Sequence, residues 1–169
     1  MLDRYQSTDC LLAKDADRDV VKTVLSEYGR VVNCFIDQFW QNDQKDCPRK
    51  SQLLKPIVDS VSSWLSFTMR QRAASLAISM IKKARRTDLE KPYHEGKNIY
   101  LSSYMARVKV VNYSTVMHVR CIGKLKDKKL ILDLPIELSK EYCQWYESPE
   151  PFYILTAECV RFFFDRDED

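Results

Sequence analysis

Residues 116–134 read VMHVRCIGKLKDKKLILDL, two apolar runs on either side of a lysine-rich turn. In both runs every second residue is apolar: Met117, Val119, Cys121, Leu130, Leu132 and Leu134. Alternation with a period of two is typical of strands that bury one face. The stretch therefore predicts a β-hairpin whose tip lies at residues 123–129.

Upstream of residue 98 the apolar residues recur at helical spacing instead. The first predicted helix covers residues 20–40, with Asp15 or Asp17 as its N-cap. The second begins near Pro56, where proline suits a first helical turn, and runs without a break to residue 86. A polar linker is expected to follow it over residues 87–97.

Further strands are indicated on both sides of the hairpin, at residues 5–12, 99–101, 106–111, 152–156 and 159–164. Pro135 is expected to open one short helix between them. The predicted fold class is α+β, with a two-helix subdomain packed on a small antiparallel β-barrel or open sheet that carries this inserted helix. The predicted domains are residues 1–14 as an edge strand of the barrel, 15–90 as the helical subdomain and 91–169 as the barrel.

Charge is distributed unevenly along the chain. Residues 1–81 hold 11 basic and 10 acidic side chains, residues 82–130 hold 13 and 4, and residues 131–169 hold 3 and 10. A basic block of this size attracts phosphate and releases counterions on binding nucleic acid. The alternative is a solvated face that the acidic C-terminal third balances.

The sequence contains no motif for a phosphate-binding loop, a metal site or a catalytic pair. Only three glycines occur, in no phosphate-binding loop pattern, and no C-x-x-C pair exists among the six cysteines. Alternation places His118 and Cys121 on opposite strand faces, which argues against a Cys/His catalytic pair. We therefore expect no cofactor, no metal and no catalytic residues. The N-terminus resembles no signal peptide and no apolar run approaches membrane length, so a cytoplasmic protein with reduced cysteines is expected.

Four stretches, in this order, resemble the N-terminal half of the TnpB nucleases and their type V CRISPR effector relatives. Tyr28 to Asp37 (YGRVVNCFID) is similar to the first recognition helix of that family, and Ser63 to Ala84 is similar to the second. Lys91 to Ile136, with its lysine turn followed by LDLPI, resembles the wedge β-barrel. Cys159 to Phe164 (CVRFFF) resembles the last wedge strand before the RuvC nuclease domain.

The resemblance implies a nucleic-acid-binding lobe that holds guide RNA and target DNA and reads a short motif beside the target. It implies a nucleoid-associated prokaryotic protein without a membrane partner. The family's RuvC carboxylates have no counterpart in residues 1–169, so we expect no cleavage activity from this chain itself. A RuvC-bearing partner chain could complete a split nuclease. The remaining alternatives are an RNA-guided transcriptional repressor and an unrelated protein-interaction domain.

Two groups of residues follow as site predictions. The predicted readers of the DNA motif are Asn33, Ser63, Phe67, Arg70 and Gln71. The predicted ligands of RNA phosphates are Lys82, Lys83, Arg85, Arg86, Lys124, Lys126, Lys128 and Lys129. Each has a structural alternative: Asn33 caps a loop, Phe67 belongs to the core, Arg70 and Gln71 are solvated, and the basic residues complement a helix dipole or blunt a sheet edge.

Overall fold

The computed structural model describes residues 5–12, 15–41, 48–111, 114–136 and 152–165. Its helices are α1 (Asp15–Trp40), α2 (Lys55–Asp59) and α3 (Phe67–Arg86), and a 3-10 turn covers Lys50–Gln52. Its strands are β1 (Tyr5–Leu11), β2 (Asn98–Ser102), β3 (Ala106–Val111), β4 (Ser114–Leu125), β5 (Lys128–Pro135), β6 (Phe152–Thr156) and β7 (Cys159–Asp165). The α+β class is thereby confirmed.

The chain divides into two compact units that interleave along the sequence, whereas the predicted domains are consecutive. The sheet unit comprises residues 1–25, 98–120 and 131–169, and the helical unit comprises residues 26–97 and 121–130. The tip of the β4–β5 hairpin thus belongs with the helices. Within the described residues, none of the helices is both long and apolar enough to span a bilayer.

The strands form two open antiparallel sheets. One has the order β1-β7-β6-β2 and the other β3-β4-β5, so β1 stands at one end of the first order. No closed barrel is found among the described strands, which corrects the prediction of a barrel. The β1–β7 ladder ends at Leu11, and beyond it a bridge joins Leu12 to Ile136, so within the described residues the two sheets are not joined by a continuous ladder.

Side-chain pairs across the strands stabilise the four-stranded sheet. Phe152 stacks on Phe163 with ring centroids 4.6 Å apart, and Tyr153 meets Phe162 edge to face at 5.2 Å. On β1, Asp9 lies opposite Arg161 and accepts two hydrogen bonds from its guanidinium, at 2.6 and 2.8 Å. These hydrogen bonds lower the pKa of Asp9 below its usual value.

The predicted single long helix after Pro56 is wrong. It is two helices, α2 and α3, separated by residues 60–66. Ser66 ends the break by accepting a hydrogen bond from the backbone N–H of Met69, at 3.2 Å, as an N-cap serine does. Val61 and Leu65 continue the apolar pattern and are buried, but outside any helix, which is why periodicity alone predicted one element.

Two predicted helix starts also need correction. α1 begins at Asp15, five residues before the predicted start at residue 20, so Asp15 and Asp17 both lie within its first turn; the residue before Asp15 lies outside the described residues. Pro135 ends β5 instead of opening a helix, because Ile136 pairs with Leu12 and donates its N–H to the carbonyl of Thr115 at 3.1 Å. The rest of the predicted short helix lies outside the described residues.

The helical unit buries the inner faces of α1 and α3. On α1 the side chains of Tyr28, Val31, Val32, Phe35, Ile36 and Phe39 are each at most 3% exposed. On α3 the buried residues are Met69, Ala73, Ala74, Ala77, Ile78, Ile81 and Ala84. Full burial of each large apolar side chain on these faces contributes about 1.5–3 kcal/mol to stability.

Residues 87–97 have no regular structure, as predicted for the linker, and they lie against α1. The amide of Asn33 donates to the carbonyl of His94 at 3.0 Å and accepts from its N–H at 2.8 Å. A Cβ on Gly29 would lie 2.7 Å from the Cα of Gly96, so the helix and the linker approach at two glycines. Gly29 is therefore required for packing, although glycine lowers helix propensity.

Candidate nucleic-acid interface

The hairpin tip is fixed to the segment that precedes α3. Leu65 pairs with Gly123 in an antiparallel bridge, Ser66 donates its N–H to the carbonyl of Ile122 at 2.7 Å, and Lys124 donates to the carbonyl of Trp64 at 3.0 Å. The Ser66 hydroxyl also donates to the carbonyl of Cys121. Residues 64–66 thus act as a short added strand that holds the hairpin at the start of α3.

Local backbone conformation makes this contact possible. A Cβ on Gly123 would lie 2.2 Å from the carbonyl oxygen of Trp64, so only glycine fits there. Cys121 has φ 61°, which interrupts the strand alternation in the manner of a β-bulge. Val119, which precedes the bulge, is buried as predicted. After the bulge the alternation is broken, because Ile122 and Gly123 are both buried.

The turn itself consists of two residues, Lys126 and Asp127, at φ 50° and 63°. Positive φ at both positions is typical of the type I′ hairpin turn, which matches the twist of the strands. The turn projects Lys124, Lys126, Lys128 and Lys129 into solvent, and all four are exposed.

A cavity of about 420 Å³ opens where the hairpin meets the start of α3. Two aromatic residues, Trp64 and Phe67, line it together with three cations, Arg70, Lys124 and Lys129. Ser63, Leu65, Ser66, Cys121 and Gly123 complete the wall. The cavity brings together residues from both predicted groups, the motif readers and the phosphate ligands.

Arg70 is held firmly in this wall. Its guanidinium lies 2.9 Å from a carboxylate oxygen of Asp59 and donates to the carbonyls of Val58 and Val61 at 3.3 and 3.4 Å. The side chain is 16% exposed, so the alternative of a solvated Arg70 is wrong. Its Nε is buried and has no hydrogen-bond partner among the described residues. The guanidinium is therefore held in one position in the cavity wall, paired with Asp59.

The other predicted motif readers differ in what they contact. Asn33 is hydrogen-bonded to the backbone of His94 in the linker, which agrees with the alternative that Asn33 caps a loop. Ser63 donates to Glu27 at 2.5 Å, and Gln71 donates to the carbonyl of Leu53 at 3.3 Å. Phe67 is 37% exposed at the cavity, so the alternative of a core position is wrong for it.

The predicted basic cluster does lie at the end of α3. Lys82, Lys83 and Arg86 are exposed. Arg85 is half-buried, because its guanidinium lies 5.4 Å from the ring centroid of Trp40 and donates to the Trp40 carbonyl at 3.5 Å. Arg85 thus fastens the end of α3 to the end of α1, and the other three cations face solvent.

The two basic groups lie at opposite ends of α3. The hairpin is fixed beside Ser66, the N-cap, and residues 82–86 form the last turns. A 20-residue helix is roughly 30 Å long. A single strand of nucleic acid that contacts both groups must therefore run along the length of α3.

Charge also separates between the two units. The helical unit carries 17 basic and 9 acidic side chains, a net charge of +8, and the sheet unit carries 10 and 15, a net charge of −5. Several carboxylates of the helical unit are paired within it: Glu27 with Arg30, Asp37 with Lys91, Asp59 with Arg70 and Lys55, and Glu95 with Lys97. Among the described residues, no carboxylate lies within 4 Å of the exposed cations of α3 or of the hairpin lysines.

Sequence reasoning missed Trp64 as a site residue, because it was assigned to a helix interior. The signal was available in the serines at 60, 62, 63 and 66, since serine hydroxyls compete with helical hydrogen bonding and favour caps.

A scan against protein-family models finds no match to this chain, and a search of curated proteins finds none either. The resemblance to TnpB stays a prediction.

Proposed function

We propose that this chain is a nucleic-acid-binding module whose helical unit holds the phosphate backbone. The observation that carries the proposal is the set of seven exposed cations without a carboxylate within ion-pair distance in the described structure: Lys82, Lys83, Arg86, Lys124, Lys126, Lys128 and Lys129. Phosphate contacts of this kind supply affinity that depends on salt and not on sequence.

The position of these cations supports an extended ligand. Three lie at the end of α3 and four at the hairpin beside its start, with roughly 30 Å of helix between them. A small anion would occupy one group only, whereas a polyphosphate chain can occupy both. An extended strand therefore fits the arrangement better than a mononucleotide does.

The proposal is tested by neutralising lysines that differ only in whether they are paired. Lys82→Gln with Lys83→Gln removes two unpaired charges, and Lys91→Gln with Lys97→Gln removes two that pair with Asp37 and Glu95. Both double variants change net charge equally. We expect the first to weaken binding of a labelled 20-nucleotide RNA several-fold more than the second. Equal effects would mean that only net charge matters, and would contradict the proposed interface.

The finer proposal is the recognition lobe of a TnpB-like RNA-guided DNA-targeting protein, without cleavage activity of its own. The residue pattern of the four resembling stretches supports it, and so does a basic interface long enough for a duplex or a folded RNA. Sequencing the RNA that co-purifies with the protein from its native host tests it. A defined, structured RNA is expected, and a random sample of cellular RNA would contradict guided binding.

A further inference from the structure

We infer that the cavity at the start of α3 receives one unpaired nucleobase, with the phosphate of the same strand held by Lys124 and Lys129. The inference rests on the proposed function and names the form of nucleic acid that the interface binds. It differs from reading a paired DNA motif, because a base must leave its duplex to enter a cavity.

The size and the lining of the cavity suit a base. About 420 Å³ lies within the range of roughly 300–1,000 Å³ that is usual for small-molecule sites. Trp64 and Phe67 offer aromatic rings, and base–aromatic stacking tolerates any base because every base has a π-face. Phe67 is 37% exposed although it is large and apolar, so its ring is accessible to a ligand.

The charges around the cavity suit a phosphate. Lys124 and Lys129 are exposed, and neither has a carboxylate within 4 Å among the described residues. Arg70 also lines the cavity, but its guanidinium is paired with Asp59 and bonded to two carbonyls, so the two lysines supply the unpaired positive charge.

The polar groups of the wall are mostly engaged within the protein. The Ser63 hydroxyl donates to Glu27, and the Ser66 hydroxyl donates to Cys121 and caps Met69. Little remains to distinguish one base edge from another. The cavity is therefore expected to bind unpaired nucleotides with weak sequence preference, while the lysines bind any phosphate backbone.

Phe67→Leu is the sharpest test, because it keeps an apolar side chain of similar size and removes the ring. The probes are labelled dT₁₀, rU₁₀ and a 20-base-pair DNA duplex. We expect Phe67→Leu to weaken binding of a single strand roughly 5- to 150-fold, the range seen when a stacking residue is lost, and to leave duplex binding unchanged. Phe67→Tyr should retain wild-type binding, and so should Tyr93→Ala, which removes an exposed aromatic side chain from the same unit.

The fluorescence of Trp64 gives a second readout. Stacking of a base on its ring should quench wild-type fluorescence when dT₁₀ or rU₁₀ is added, and Trp64→Phe should abolish most of that quenching. The comparison of dT₁₀ with rU₁₀ shows whether DNA or RNA supplies the base. Thermal unfolding of each variant verifies that the fold persists.

The outcomes separate this inference from the function on which it rests. If Phe67→Leu binds single strands as well as the wild type, or weakens single strands and duplex equally, the inference is overturned while the lysine-dependent interface stands. If the wild type binds none of the three probes, the proposed function itself fails.

Discussion

At the scale of single residues, Asn33 shows how one side chain fits two interpretations. An asparagine inside an apolar helical run suggests either a base reader or a contact to a neighbouring loop. Its amide makes two hydrogen bonds to the backbone of His94, one as donor and one as acceptor. Sequence gave no means of choosing, since the partner lies 61 positions away.

Asn33→Ala is therefore expected to lower stability more than binding. It leaves the N–H and the carbonyl of His94 without their partner; because His94 is only partly buried, water can replace part of these two bonds, and the combined cost is about 1–3 kcal/mol. Urea unfolding should show a loss of roughly 1–3 kcal/mol, with nucleic-acid affinity unchanged when measured on the folded variant. A stable variant that no longer binds nucleic acid would show instead that Asn33 contacts the ligand.

His94 makes the same linker sensitive to acid. Its Nδ1 accepts a hydrogen bond from the N–H of Gly96 at 3.1 Å, and its ring meets Tyr28 edge-on at 5.9 Å. Burial lowers the pKa of His94, and the charge of Glu95 offsets only part of that shift. The unfolded chain therefore binds the proton more readily than the folded protein does.

Neutral His94 consequently makes its full contribution to the free energy of unfolding above the unfolded pKa of about 6.5. That contribution is lost as the pH falls through the lower folded pKa. We expect the melting temperature to fall between pH 7.5 and pH 5, with a smaller fall in His94→Gln. This window lies above the range in which Asp9, Glu27 and Asp59, whose pKa values are lowered, lose their charge. Identical pH profiles for the two proteins would refute a neutral, hydrogen-bonded His94.

At the scale of elements, the strands were predicted better than the helix boundaries. Alternation predicted the bounds of β2, β3, β6 and β7 to within one residue, because every second residue is apolar in a strand that buries one face. The break between α2 and α3 escaped notice since Leu65 is buried through its pairing with Gly123 and not through a helix. Leu65 is apolar because it packs in a contact with a residue distant in sequence, whereas periodicity assigned it to a local helix.

Gly123→Ala should separate the hairpin tip from the residues before α3. The new Cβ would lie 2.2 Å from the carbonyl oxygen of Trp64, so the backbone must move. Forced overpacking of this kind costs about 1–3 kcal/mol. Hydrogen exchange should accelerate at the amides of Ser66 and Lys124, which donate across this contact.

Cys121→Gly is the matched control at the same bulge. Cys121 has φ 61°, a conformation that glycine adopts without strain, so this variant should keep both amides protected. Equal protection in Gly123→Ala and the wild type would show that the close approach of the two segments is not required for their pairing.

At the scale of the whole molecule, the charge pattern of the sequence and that of the structure differ in an instructive way. The sequence shows a basic middle and an acidic C-terminal third, whereas the structure divides charge by unit, +8 in the helical unit and −5 in the sheet unit. Both patterns place the hairpin lysines and residues 82–86 together. Only the structure shows that they occupy opposite ends of one helix, because that depends on the contact between Gly123 and Leu65.

The sequence predicted the charged residues of the candidate site but not the contacts that depend on the fold. Seven of the eight predicted phosphate ligands, all but Arg85, are exposed and have no carboxylate within 4 Å among the described residues, so their charge could be anticipated from the sequence. Trp64, and the engagement of Arg70 by Asp59, depend on how residues 58–66 fold, and local pattern did not specify that.

The salt dependence of binding tests the central claim most directly, namely that the helical unit holds a phosphate backbone through unpaired cations. For a labelled single-stranded 20-mer, seven such contacts predict a slope of log K against log[NaCl] of roughly −5, at about −0.7 for each phosphate neutralised. Lys82→Gln with Lys83→Gln should reduce the steepness by about 1.4. A slope near zero, or one that the double variant leaves unchanged, would contradict the account.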